Sequence, residues 1–498
     1  MIVPKMTYKY LLNIFLLTAV LSLLLLSSCR KDETINTDPS LMLSFSTDSV
    51  MFDTVFTTMG STTRKLMVYN PNENAVMISR VHLAGGVNSP YTVNIDGSSG
   101  TEVRDIEIGG KDSMYVFVRV TVDPVNGNLP LVVKDSVIFE TNGNVQDVDL
   151  ISWGQNAHFI VADVHTPGLP PYSIIAAEGE HIHWENDIPY VIVGYGVVDS
   201  TASLTIDAGC KIHFYNNSGL WIYKNASIQV NGTMEEEVVF QGVRLEQDYQ
   251  DVPAQWDRIL INESDVNSEF NYAVIKNAVI GIQAETFDEG QGNTLFLNNT
   301  KILNMQGWGI FTRFYTIEAN NILVANAGSS CLNLTSGGHY SFKNSTFANY
   351  WSYSSRKDPL LHLANYYIVY TQDGQEVHVG DVEQAYFGDC ILYGAVENEV
   401  LIDEYDGVST VFNYQFDHSL LKAPLTEDEH FVNCLFNEDP LFKDYTVNDF
   451  HLDTLSPAIN KGIPMGNPFD MDGIERGETP DIGVYEWVED EDEGILFR

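Results

Sequence analysis

Basic residues are scarce in this chain. Its 26 Lys and Arg stand against 68 Asp and Glu in 498 residues, a formal net charge of −42. Affinity for nucleic acid and anionic lipid comes from clustered Lys and Arg, so nucleic acid is excluded as a partner. A polyuronate site, which needs cations to neutralise the sugar acid, is hard to assemble for the same reason. Cysteine is also scarce, five residues with no CxxC pair, at 29, 210, 331, 390 and 434. Cys331 and Cys390 lie in apolar sequence, where a free Cys is a small interior hydrophobe, and spacing alone fixes no disulfide among Cys210, Cys331, Cys390 and Cys434. What the acidity does favour is solubility and an attraction for divalent cations, calcium first; no other cofactor is indicated.

Residues 1–28 read as a secretion signal rather than a fold element. Lys5 and Lys9 precede an apolar stretch from Tyr10 to Leu26, which ends at Leu26-Ser27-Ser28-Cys29. Leu-Ser-Ser-Cys resembles the bacterial lipobox, which implies that Cys29 is acylated and becomes the mature N-terminus, anchored in a membrane by its acyl chains. Lys31-Asp32-Glu33 directly behind it is similar to the export signal of surface lipoproteins in the Bacteroidetes phylum. The resemblance implies a protein held by lipid on the outer membrane and facing outward. Residues 29–40 would be its tether.

The most informative feature is a repeated phrase. It reads Tyr272-Ala273-Val274-Ile275-Lys276-Asn277, Asn299-Thr300-Lys301-Ile302-Leu303-Asn304, Asn321-Ile322-Leu323-Val324-Ala325-Asn326 and Asn344-Ser345-Thr346-Phe347-Ala348-Asn349. The closing asparagines are 27, 22 and 23 residues apart, a period that suits one coil of a β-solenoid and is too short for a helix pair. The apolar residue two before each closing Asn is expected to build an internal ladder. The Asn itself tolerates the left-handed turn that ends the strand.

Upstream, residues 41–165 show short strands at 66–69, 75–83, 113–122 and 135–140, separated by turn clusters such as Asn70-Pro71-Asn72-Glu73-Asn74 and Asn142-Gly143-Asn144. Met114, Val116, Val118 and Val120 alternate with less apolar neighbours, and this spacing predicts an immunoglobulin-like sandwich. The Pro-rich stretch at 167–171 predicts a boundary. Beyond it, Leu204-Thr205-Ile206-Asp207-Ala208-Gly209-Cys210-Lys211-Ile212-His213-Phe214, followed by Ile228-Gln229-Val230-Asn231-Gly232-Thr233, resembles the opening coils of right-handed parallel β-helix proteins, especially Bacteroidetes surface lipoproteins. Asp439-Pro440-Leu441-Phe442, Ser456-Pro457-Ala458-Ile459-Asn460 and Pro480-Asp481-Ile482-Gly483 look like the closing segment of such proteins. The resemblance implies an all-β chain with a β-helix of about ten coils over 170–487, its tail covering the last coil against edge pairing, and an acidic end at 488–498. The polar, Tyr-rich residues 351–386 are expected to leave the stack.

Chemistry is thinly encoded. Lys276, Lys301, Arg313 and Lys343 are the cations a lyase would recruit, and Asp248, Asp251, Asp257 and Asp288 the loop acids a hydrolase would cluster. His181-x-His183-x-Glu185 places three ligand-type side chains on one strand face, a weak metal candidate against a polar strand near the entry of the repeat. Asp470-Met471-Asp472-Gly473 lacks the Gly and Glu of a calcium loop and reads as a turn. Aromatics are plentiful: Trp221, Trp256, Trp308 and Trp351 fall within the repeat region, where exposed rings would stack on sugars and buried ones would fill coil junctions. The reading is therefore non-catalytic glycan binding or structural display at the cell surface, with polysaccharide as the partner of the binding reading. The alternative is a polysaccharide lyase or glycoside hydrolase.

Overall fold

The computed structural model describes residues 34–122, 131–263, 265–286, 294–371, 374–424 and 428–489. Cys29, Lys31, Asp32, Glu33 and Asp288, with the signal and most of the acidic end, lie outside them. The described residues are all β, with short 3-10 turns and no α-helix, and no helix among them is long and apolar enough to cross a membrane. The chain divides at Gly154/Gln155 into two compact units. The boundary therefore precedes the Pro-rich stretch: His158–Val161 already pairs in parallel with Tyr190–Val193 of the second unit, and residues 167–171 turn the chain within that unit.

In the first unit, two five-stranded sheets enclose one core. One orders Ser44–Phe45, Arg64–Tyr69, Ser113–Val120, Tyr91–Ile95 and Ser98–Gly100; the other orders Ser49–Phe56, Asn144–Gln155, Leu131–Thr141, Val76–Leu83 and Glu102–Ile108. Alternation decides which face each residue takes: Val116, Val118 and Val120 are fully buried, while Tyr115 and Phe117 are exposed. The turn at Asn70 is fixed by its own side chain, whose amide donates to the carbonyls of Asn74, Ile108 and Gly109 at 2.9, 3.1 and 2.9 Å.

The second unit pairs its strands in parallel, in an eleven-stranded and a seventeen-stranded sheet. The chain runs in circuits. Tyr190–Val193 lies in the smaller sheet, Tyr195–Val198 and Ser203–Asp207 in the larger, and Lys211–Phe214 returns to the smaller beside Tyr190–Val193. The larger sheet is two parallel columns joined by the long strands Trp308–Asn320 and Leu332–Lys343, which pass through both. The expected inner ladder is present: Ile275, Ile302, Val324, Phe347, Leu392 and Leu421 stand in register, all fully buried. Asparagine shapes most ends of the repeated strand; the exceptions are Tyr272, which opens the first copy at φ 44°, and Asn349, which closes the last copy without the expected left-handed backbone. Asn277, Asn304 and Asn326 have φ of 66°, 61° and 58°, and Asn299, Asn321 and Asn344 have φ of 49°, 52° and 47°, a region that Asn enters at least cost among side-chain-bearing residues.

Two expectations are corrected. Residues 351–386 leave the stack only in part, because Leu361–Ala364 and Val382–Gly388 pair within the larger sheet; the excursion is a loop up to Leu360 and the antiparallel hairpin Tyr366–Thr371/Gly374–Val379. The closing segment lies along the outer face of the eleven-stranded sheet instead of over the last coil. Phe450, Met471, Val484 and Tyr485 pack on Leu323, Ala325 and Ala348; Leu452, Ala458 and Ile482 pack on Ile391 and Leu420. These outer positions are apolar where the segment covers them, which is the reason it docks there.

Candidate functional site

The outer face of the larger sheet's first column carries the richest chemistry. Inward residues such as Leu220, Ile222, Ile282 and Ala284 are fully buried, so their strand neighbours Trp221 and Gln283 face outward. Register stacks Val197, Trp221, Leu260, Gln283 and Phe311 in one line. Asn262, Glu285 and Arg313 form a second line beside it.

A hydrogen-bonded network holds these side chains. The Trp221 indole donates to Asn262 Oδ1, which fixes the ring. Arg258 donates through Nε and Nη2 to Asp257 Oδ1 at 3.0 and 2.9 Å and through Nη1 to Gln283. Gln283 donates to Glu285 at 3.0 Å, and Arg313 donates to the other Glu285 oxygen at 3.3 Å. Arg313 lies 4.9 Å from the Phe311 ring and 4.5 Å from that of Tyr367 on the hairpin, a cation–π sandwich. Burial, with the neighbouring Asp257 carboxylate second, pushes the Tyr195 phenol far up, so Tyr195 stays a donor to Asp257. Farther along, Asp403 accepts from Tyr366 at 2.8 Å and faces His362 at 3.5 Å. The carboxylates of this face are thus engaged by fixed donors. Between them lie the half-buried Trp221 and Leu260, while Val197 and Phe311, 4% and 9% exposed, are covered.

The other column presents a different face: an amide ladder in which Asn298 donates to Asn271 at 3.0 Å and Asn320 to Asn298 at 3.3 Å. Lys343 stands in register with Asn320 there.

The sequence candidates separate accordingly. Trp221 is on the aromatic face, and Trp308 is half-buried at its edge, 5.4 Å from Phe311. Trp256 is corrected: it is 1% exposed, stacked on Phe214 at 4.1 Å, and its indole donates to the Lys276 carbonyl at 2.9 Å, so it fills the interior and offers no face to a sugar. Trp351 sits in the excursion loop beside Tyr353, bonded to Ser354 at 2.9 Å. His181 and His183 do not converge with Glu185 on a metal: His181 meets Ser203 at 2.6 Å and His183 meets Asp207 at 2.7 Å, and no group of three such residues placed to hold a metal ion is found among the described residues. The loop acids have separate partners, Asp251 with Asn304 at 3.1 Å and Asp257 with Arg258, while Asp248 is exposed in a 3-10 turn. Lys301 pairs with Glu237 at 3.0 Å. Asp470 receives the N–H groups of Asp472, Ile474 and Glu486 and is a turn, as read. Cys210, Cys331, Cys390 and Cys434 are free thiols, and burial pushes Cys331 up to about 12. The network of Arg258, Gln283, Glu285 and Arg313 was missed, because outward positions follow no apolar pattern. The hairpin that brings Tyr367 had a signal, Asp373-Gly374 between two β-rich runs.

No family model matches the chain, and no curated protein does. Among solved structures, a PapD-like domain of human CEP192 is similar over 26% of this chain and 96% of its own, at 15% identity and a TM-score of 0.17. A family 123 glycoside hydrolase from Clostridium perfringens is similar over 29% of this chain and 30% of its own, at 8% identity and a TM-score of 0.17. XylC, in complex with xylose, is similar over 89% of each chain at 8% identity and a TM-score of 0.31. Likenesses this distant carry no argument here.

Proposed function

We propose that this is a lipid-anchored protein of the bacterial outer surface, an Ig-like sandwich followed by a right-handed parallel β-helix, that binds glycan without cleaving it. Leu26-Ser27-Ser28-Cys29 and Lys31-Asp32-Glu33 support the anchor and the surface address; parallel pairing at a period of 22 to 27 residues supports the β-helix. The observation that carries the binding reading is the outward pair Trp221 and Leu260, in register and half-buried, flanked by immobilised donors and acceptors. Flat apolar surfaces stack on sugar rings while fixed polar groups read their hydroxyls. Engagement of Asp257, Glu285 and Asp403 by neighbouring donors favours a static polar frame over a proton shuttle.

The test is affinity electrophoresis and calorimetry of residues 30–498 on pectin, alginate and neutral plant and host glycans, with and without calcium. Retention by at least one polymer, weakened about tenfold in Trp221→Ala, is expected. Release of unsaturated or reducing ends would overturn the non-catalytic reading in favour of a lyase or hydrolase.

A further inference from the structure

A cavity of about 230 Å³ opens on the outer face of the eleven-stranded sheet, lined by Gln241, Arg244, Gln250, Gln255, Lys276 and Asn277. Asn277, 2% exposed, contributes to its wall. Its amide nitrogen donates to the Gln250 carbonyl at 2.8 Å, which leaves Oδ1 without a donor among the described residues. Gln255 repeats the pattern: its nitrogen donates to the carbonyls of Tyr249 and Val252 at 2.7 and 2.9 Å, and its buried Oε1 has no donor either. Neither amide can be turned round without setting oxygen against carbonyl oxygen. Buried acceptors left open in this way call for a donor from outside the chain.

The same cavity holds donors. Lys276 gives one N–H to the Gln250 carbonyl at 3.2 Å and has others to offer; burial lowers its pKa, with Asp251 opposing. Arg244 is held against the Tyr249 ring at 3.5 Å and bonded to Glu246 at 3.0 Å. A metal cation would be repelled by Lys276 and Arg244, and an anion would leave both open acceptors unpaired. A hydroxyl is donor and acceptor at one atom and satisfies both sets. The volume is many times that of one water and below the roughly 300–1,000 Å³ of drug-sized ligand pockets, which suits one ring.

We infer that this cavity is a subsite for a single hydroxyl-rich ring of pyranose size, its hydroxyls donating to Asn277 Oδ1 and Gln255 Oε1 and accepting from Lys276. It does not depend on the Trp221 face, and failure of polymer binding there leaves it standing.

The test is calorimetry and saturation-transfer NMR of residues 30–498 with the methyl glycosides of glucose, galactose, N-acetylglucosamine and glucuronic acid at millimolar concentration. At least one is expected to bind, with affinity about tenfold weaker in Lys276→Met, abolished in Gln241→Phe, which fills the cavity, and unchanged in Trp221→Ala. No binding of any of the four, or binding that survives both cavity variants, overturns the inference. Should Gln241→Phe fail to fold, hydrogen exchange of the wild type decides: slowed exchange of the 242–255 amides with sugar supports the subsite, and unchanged exchange overturns it.

Discussion

Asp389 receives the backbone N–H of Ile463 on both carboxylate oxygens, at 3.0 and 2.9 Å, and so ties the closing segment to the strand stack. Burial, against the pull of that N–H, raises Asp389 to about 7; burial likewise raises Glu486 to about 7. His451, bonded to Asp472 and Asp449 at 2.7 and 2.6 Å, is raised chiefly by Asp472 despite its burial.

All three groups hold protons more tightly folded than unfolded. The contribution of the two carboxyls is therefore complete below the ordinary carboxylate range and is lost as pH rises through about 7, and that of His451 is complete below the ordinary imidazole range and lost above it. Amides of 463–485, corrected for intrinsic rates, should exchange faster at about pH 8 than at about pH 5. Asp389→Asn, which suits the left-handed backbone as Asn344 does one circuit earlier, should reduce the difference. Equal protection at both pH values would refute the assignment.

Ile302 stands between Ile275 and Val324 in the inner ladder. Ile302→Asp should bury an unpaired carboxylate and cost about 4 kcal/mol or more, read as a lowered urea midpoint. An unchanged midpoint would contradict the packing.

Arg356 and Glu399 form a bidentate pair at 2.5 and 2.8 Å, their side chains 3% and 0% exposed. Glu399 also accepts the N–H groups of Leu360 and Val396, and Arg356 donates to the Asn349 carbonyl at 2.9 Å, so the pair pins both ends of the excursion loop. Glu399→Ala should cost about 3–5 kcal/mol because it strands the guanidinium, and the double variant Arg356→Met/Glu399→Leu should recover much of that loss. A single variant as stable as wild type would show the pair to be idle.

Cys29→Ala should release the protein from the membrane fraction or block signal cleavage. Alanine at Lys31, Asp32 and Glu33 should leave it lipidated yet shielded from protease added to intact cells. Membrane retention of a cleaved Cys29→Ala protein, or equal digestion of the second variant, speaks against the corresponding signal.

The inner ladder was legible because interior positions must repeat: Ile275, Ile302, Val324 and Phe347 occupy one environment in successive circuits. Asn277, Asn304 and Asn326 were legible because few residues accept their backbone, whereas Asn349 matched the phrase without adopting it. Trp221 could be placed from its neighbours, flanked as it is by Leu220 and Ile222 in a short strand. Trp256 precedes Asp257-Arg258 at a turn, where alternation says nothing. The docking place of the closing segment escaped because its partners lie 74, 123 and 148 residues away, at Asp389, Asn344 and Asn321, with no local period to announce them. Pro167 to Pro171 mark a turn equally well between units or inside one, so they misplaced the boundary.

The closing segment also counts. It touches Asn321 through the Phe469 carbonyl at 2.8 Å, Asn344 through Asn467 at 2.7 Å and Asp389 through Ile463, one anchor for each of three successive circuits. A circuit inserted among these would carry an anchor about 4.8 Å off its mate, whereas one added ahead of Tyr272 would disturb none of them. The strap acts as a ruler laid along the stack: it fixes the length of the half it spans and leaves the other half free to grow.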